Sequence, residues 1–100
     1  MSILQRYGPI GVNALANATP KDSGLTALSW DYSIEKHGSG YDLNWFNTHE
    51  NNGTVIAILI QYGHGTGTGG YVPPNDFINP AMKPVFDKIA EDIWKEVSNL

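Results

Sequence analysis

Cysteine is absent from this chain, which excludes disulfides and thiolate metal sites together and is the usage expected of a cytoplasmic protein. Arginine occurs once, as Arg6, and the lysines nowhere gather into a patch. Phosphate backbones are held by clustered cations, so sequence-specific nucleic-acid binding is excluded. No apolar run approaches the length of a membrane span, and the start lacks a basic segment followed by an apolar core. A soluble chain without a signal peptide or a membrane partner is therefore expected, and Asn17-Ala18-Thr19 and Asn52-Gly53-Thr54 carry little weight as glycosylation sites. Repeats and low-complexity tails are also missing.

What remains is a composition with 41% hydrophobic and 11% aromatic residues, which is that of a folded domain. A chain of 100 residues forms one domain, residues 1–100, that buries roughly two-thirds of its unfolded surface.

The firmest element is near the end. After Asn79-Pro80, apolar residues recur at Met82, Val85, Phe86, Ile89, Ala90, Ile93, Trp94 and Val97, one face of a helix that has to be covered. Asn79 is placed to cap this helix and Pro80 to occupy its first position, while Pro84 predicts a kinked or tight first turn. Lys88 to Asp92 and Glu91 to Lys95 have the spacing of solvated ion pairs. An N-terminal helix is predicted over Ser2 to Ala18 from Ile3, Tyr7, Ile10 and Ala14, with a kink or a true start at Pro9. Thr19 to Gly24 concentrates turn formers. Alternation over Leu25 to Lys36, with Trp30 and Ile34 inward, and over Tyr41 to Asn47, with Tyr41, Leu43 and Trp45 on one face, predicts a hairpin turning at His37 to Gly40. His49 to Gly53 reads as polar loop. Val55 to Tyr62 is open between a buried strand and a short helix, its β-branched content favouring strand. Tyr71-Val72 reads as a short edge strand stopped by Pro73-Pro74.

Between these elements lies a loop in which five of the eight residues from Gly63 to Gly70 are glycine. Each glycine costs roughly 0.5–1 kcal/mol more than alanine to order. Either positive φ or close backbone approach is needed there, or the loop orders against a partner. Gly65 to Gly70 matches G-x-G-x-x-G, but no helix opens at the third glycine to hold a pyrophosphate, and the Lys-Ser/Thr of a P-loop is missing. His37, His49 and His64 all fall in turns or loops, and His49-Glu50 is not followed by the second histidine of H-E-x-x-H. Asp22, Asp31, Asp42, Glu50 and Asp76 supply carboxylates that nothing pairs in space, and neither Ser23-Gly24 nor Ser39-Gly40 sits in G-x-S-x-G. A binding or structural module, with no catalytic, metal or cofactor site, is the reading of the residues.

Two stretches carry a resemblance that spans nearly the whole chain. AILIQYGHGTGTGGYV followed by DFINPAMKPVFDKIAEDIWKEV, and ILQRYGPIGVNALANATPKDSGLTALSWDYSIE before them, are similar to the tail-completion or neck proteins of long-tailed phages and prophages, also called tail components or minor capsid proteins. The Thr19-to-Gly24 turn and the Tyr-Gly-x-Gly-Thr element are its most specific parts. The resemblance implies an α+β fold with a small antiparallel sheet packed against an N-terminal and a C-terminal helix. It implies a structural role in the virion, reached from the host cytoplasm during assembly: copies of the chain, six expected, form a ring at the head-to-tail junction. There they meet neighbouring neck and tail-tube proteins around a channel for DNA. Tyr62, Gly63, His64, Gly65, Thr66, Gly67, Thr68, Gly70 and Tyr71 then become the expected subunit interface. Family members begin with a further helical segment, so the start near Ile3 implies a trimmed or short variant, and Gly8-Pro9 interrupts a helix that the family pattern makes continuous. Two other readings stay open on the sequence: a nucleotide-binding enzyme using the glycine loop, and a prophage accessory protein that binds a host factor.

Overall fold

The computed structural model describes residues 2–65 and 69–98. It is an α+β fold in which small antiparallel strand pairs pack against an N-terminal and a C-terminal helix. Helix α1 runs over Ser2–Ala18, the predicted range, with Pro9 inside it, so the helix does not begin at Pro9. Gln5, whose carbonyl loses its N–H partner to the proline ring, is exposed together with Pro9, and that carbonyl is open to water. The buried face of α1 is also rotated from the one read off the sequence. Ile3, Tyr7 and Leu15 are buried, while Ile10 is exposed. Gly8 and Gly11 fill the inward positions, because a Cβ on Gly8 would overlap the Tyr32 ring and one on Gly11 the Trp45 indole.

The chain leaves α1 through Thr19, whose N–H and hydroxyl both donate to the Leu15 carbonyl, at 3.0 and 2.7 Å. A 3-10 turn at Lys21–Ser23 leads into a single turn of helix, α2, Gly24–Ala27. The strand predicted from Leu25 therefore begins later, at Trp30. Leu28 N–H and the Ser29 side chain close the turn onto the carbonyls of Gly24 and Leu25, and buried Thr26 bonds His49. Strands β1, Trp30–His37, and β2, Gly40–Asn47, form the expected hairpin around Gly38-Ser39. Gly38 has φ of +62°, as a two-residue primed turn requires. The pairs Tyr32 with Trp45 and Ile34 with Leu43 share the face turned to α1, and Trp45 Nε1 donates to the Gly8 carbonyl at 2.9 Å.

The segment read as polar loop holds a second, minimal hairpin. Strand β3, Glu50–Asn51, pairs with β4, Thr54–Val55, around Asn52-Gly53, both with positive φ, which is the type I′ signature. Helix α3 follows at Ile56–Tyr62, settling the ambiguous segment as helix against its β-branched content. Ala57 and Gln61, four residues apart, are buried while Ile58 and Tyr62 are exposed, a helical rather than an alternating pattern. Strands β5, His64–Gly65, and β6, Tyr71–Val72, pair antiparallel, as the edge-strand reading of Tyr71-Val72 anticipated.

Helix α4 covers Ile78–Ser98. Its core side, Met82 and Val85, joins Ile3, Tyr7 and Leu15 in one cluster, with Trp30, Leu43, Trp45, Ile78 and Ile89 packed around it. Asp92 meets Arg6 and Tyr7, whereas Leu15 and Met82 share a cavity wall, so α1 and α4 run antiparallel. Pro84 leaves the helix unbroken, and Pro80 and Pro84 are both exposed, as Gln5 and Pro9 are. No described helix is long and apolar enough to cross a membrane.

Candidate interaction surface

The glycine loop is held at its base by a long-range cap. Gln61 Oε1 accepts from the N–H groups of Phe77 and Ile78, at 3.1 and 3.0 Å, and Gln61 Nε2 donates to Asp76 Oδ1 at 2.6 Å. The first N–H groups of α4 are thus satisfied by a side chain from α3. This corrects the sequence-based assignment of Asn79 as the cap: α4 starts before Asn79, which lies inside the first turn with Pro80. Gly63 N–H donates to Leu59 and Asn75 N–H to Ile60, so both stems of the loop are fixed to α3.

Within the loop the glycines differ. Gly63 has φ of +76°, and a Cβ there would lie 2.7 Å from the Val72 carbonyl and 2.8 Å from the Tyr71 hydroxyl. Gly69 has φ of +90°. Gly65 has no positive φ, and among the described residues a Cβ there would meet the Gly70 carbonyl at 3.9 Å, an ordinary contact. Thr66, Gly67 and Thr68, also expected at the interface, lie outside the described residues. Tyr62 and Tyr71 flank the loop at 67% and 64% exposure, Gly70 is exposed, and His64 Nδ1 is buried with no hydrogen-bond partner among the described residues. The third glycine of G-x-G-x-x-G is followed by β6, and α4 begins only at Ile78, so the helix that a dinucleotide fingerprint needs is not at that place.

The histidines make separate contacts. His37 faces Asp42 at 3.5 Å on the hairpin tip, and His49 Nδ1 bonds Thr26 Oγ1 at 2.8 Å. Among the described residues no three His, Cys, Asp or Glu side chains converge on one point.

Larger and unforeseen is the apolar surface beyond the loop. An open cavity of about 400 Å³ lies between the hairpin base, α3 and the start of α4, lined by Trp45, Phe46, Val55, Ile58, Met82 and Phe86 among others. Past Phe86, Ile93, Trp94 and Val97 are all exposed, Trp94 at 70%. The periodicity of α4 gave the signal for this surface, but the sequence reading assigned the whole face to one buried contact. In the fold α1 covers Met82, Val85, Ile89 and Asp92, and the adjoining stripe stays open.

No protein family, curated protein or solved structure matches the chain. Function has to be argued from these surfaces.

The clasp between α1 and α4 completes the electrostatics. The Tyr7 hydroxyl donates to Asp92 Oδ2, and Arg6 reaches the same oxygen at 3.1 Å. The Tyr7 bond holds the Asp92 carboxyl below its ordinary range, against the effect of burial and with help from Arg6, Lys88 and Lys95. The same bond, then burial and the Asp92 charge, push Tyr7 up.

Proposed function

We propose that this chain is a structural subunit of a phage particle, a tail-completion or neck protein that assembles by protein–protein contacts at the head-to-tail junction. The reading joins the sequence resemblance to one physical observation: the chain exposes more surface than a compact monomer of its mass, large apolar side chains among it. Its accessible surface is 6705 Å², about 1100 Å² above the roughly 5600 Å² of a compact monomer of this mass. Its radius of gyration is 16.1 Å, against about 13 Å for a compact domain of this length. That excess is of the order of one partner's share, about 800 Å², of a standard interface, and Tyr62, Tyr71, Phe86 and Trp94 are among the exposed side chains, aromatic residues being enriched at interface cores.

On this reading the ring is built from copies of the chain, six by the resemblance, and further faces meet neighbouring neck and tail-tube proteins. The stems fixed by Gln61 present Tyr62 and Tyr71 at the flanks of the loop, which orders against the neighbouring subunit. The virion is the final location. Quantitative mass spectrometry of intact particles from the source phage or prophage tests this. A low, fixed copy number close to that of other single-ring components is expected, and absence from particles overturns the reading.

A further inference from the structure

We infer that the open stripe on α4 pairs with the same stripe of a second copy, the two helices lying antiparallel about a two-fold axis. Phe86, Ala90, Ile93 and Val97 follow one another at steps of four, three and four along the helix, the spacing of a two-stranded helical seam. Most of the seam is open among the described residues: Phe86 leans on Trp45 at one end yet stays half exposed, Ala90, Ile93 and Val97 are exposed, and α1 occupies the neighbouring side at Met82, Val85, Ile89 and Asp92.

The occupant follows from the order of residue sizes. Laid antiparallel on itself, the stripe pairs Phe86 with Val97 and Ala90 with Ile93, twice each, about an axis between Glu91 and Asp92. Large meets small in every layer, as interdigitating layers require. Laid parallel, it sets Ala90 against Ala90 and Phe86 against Phe86, leaving a gap beside a bulge. The flanks agree with the antiparallel choice, since Asp87 of one copy then borders Trp94 of the other, and Ile89 borders Glu96. No like charges face across the seam, and Trp94, otherwise the most exposed aromatic ring of the chain, gains a cover. The seam is short, so micromolar self-association is the expected strength, and the excess surface already noted leaves room for it. Its basis is independent of the phage assignment, because it rests on the helix alone.

Sedimentation equilibrium of the full chain tests the pairing, with a concentration-dependent mass approaching twice that of the monomer expected. Ile93→Glu and Trp94→Glu change exposed positions, so each is expected to keep the parent circular dichroism while weakening self-association tenfold or more. The absence of cysteine permits a direct register test. Mixed Ala90→Cys and Ile93→Cys chains, oxidised mildly, are expected to form the 90-to-93 disulfide in preference to either homodisulfide. A monomer throughout the micromolar range, a dimer indifferent to both glutamates, or preference for the 90-to-90 disulfide overturns the inference.

Discussion

Two glycines a residue apart carry opposite constraints. At Gly63 a side chain meets both a positive φ and the Val72 carbonyl. Gly63→Ala is therefore expected to cost about 1–3 kcal/mol of stability, the usual range for a strained backbone position. Gly65→Ala meets an ordinary contact with the Gly70 carbonyl among the described residues and no positive φ, and should stay within about 0.5 kcal/mol of the parent. Chemical denaturation of both variants checks the contrast; equal losses would show that the loop is positioned otherwise. The pair Tyr7 and Asp92 makes a second prediction at this scale. Asp92 titrates lower in the folded chain than in the unfolded one, so its contribution is whole above about pH 4 and fades as pH falls through the folded value. Tyr7 titrates higher when folded, so its contribution is whole below about pH 10 and fades as pH rises beyond it. The difference in melting temperature between the parent and Tyr7→Phe should be flat from roughly pH 5 to 9 and shrink at either end; a difference that grows toward acid would refute the clasp.

Among the elements, α3 holds a contact that no local rule reveals. Gln61→Ala would leave the N–H groups of Phe77 and Ile78 and the Asp76 carboxylate without their partner. A loss of about 1–3 kcal/mol is expected for buried groups so abandoned, together with faster amide exchange at Phe77 and Ile78 and little change in the middle of α4. This cap was not legible in the sequence. Gln61 and Phe77 are brought together only by the fold, and the nearer candidate, Asn79, satisfied every local rule for a cap. By contrast, α4 and the β1–β2 hairpin were legible, since their periodicities of 3.6 and 2 come directly from which side chains face the core. Asn52-Gly53 was legible too, as the strongest short hairpin signal, although the shortness of β3 and β4 left it inside a loop. Helix α3 was harder: Val55 to Ile60 favours a strand locally, and the burial of Ala57 and Gln61 on one side decides for helix. On α1, Gly8 and Gly11 are where Tyr32 and Trp45 lie against the backbone, a reason visible only once the hairpin is in place. Of the candidate interface, the loop was read from its glycines, whereas the open stripe was hidden because periodicity shows that a face is apolar and not what covers it.

For the whole molecule, an open apolar face links stability to concentration. If two chains pair through α4, the folded state gains by mass action, and the melting temperature should rise with protein concentration in the parent but not in Trp94→Glu. A two-fold contact closes on itself and cannot propagate a ring. The ring proposed above would then have to be closed by another surface, a part that the same proposal gives to the loop between Tyr62 and Tyr71. The three indoles mark three different junctions of this arrangement. Trp45 lies tilted against Phe86, Trp30 meets Phe77 edge-on at 6.4 Å, and Trp94 stands in solvent. Their light emission separates these junctions without any label: a soluble quencher should reach Trp94 first, lose access to it as chains associate, and find Trp30 and Trp45 only after the hairpin lifts away from the helices.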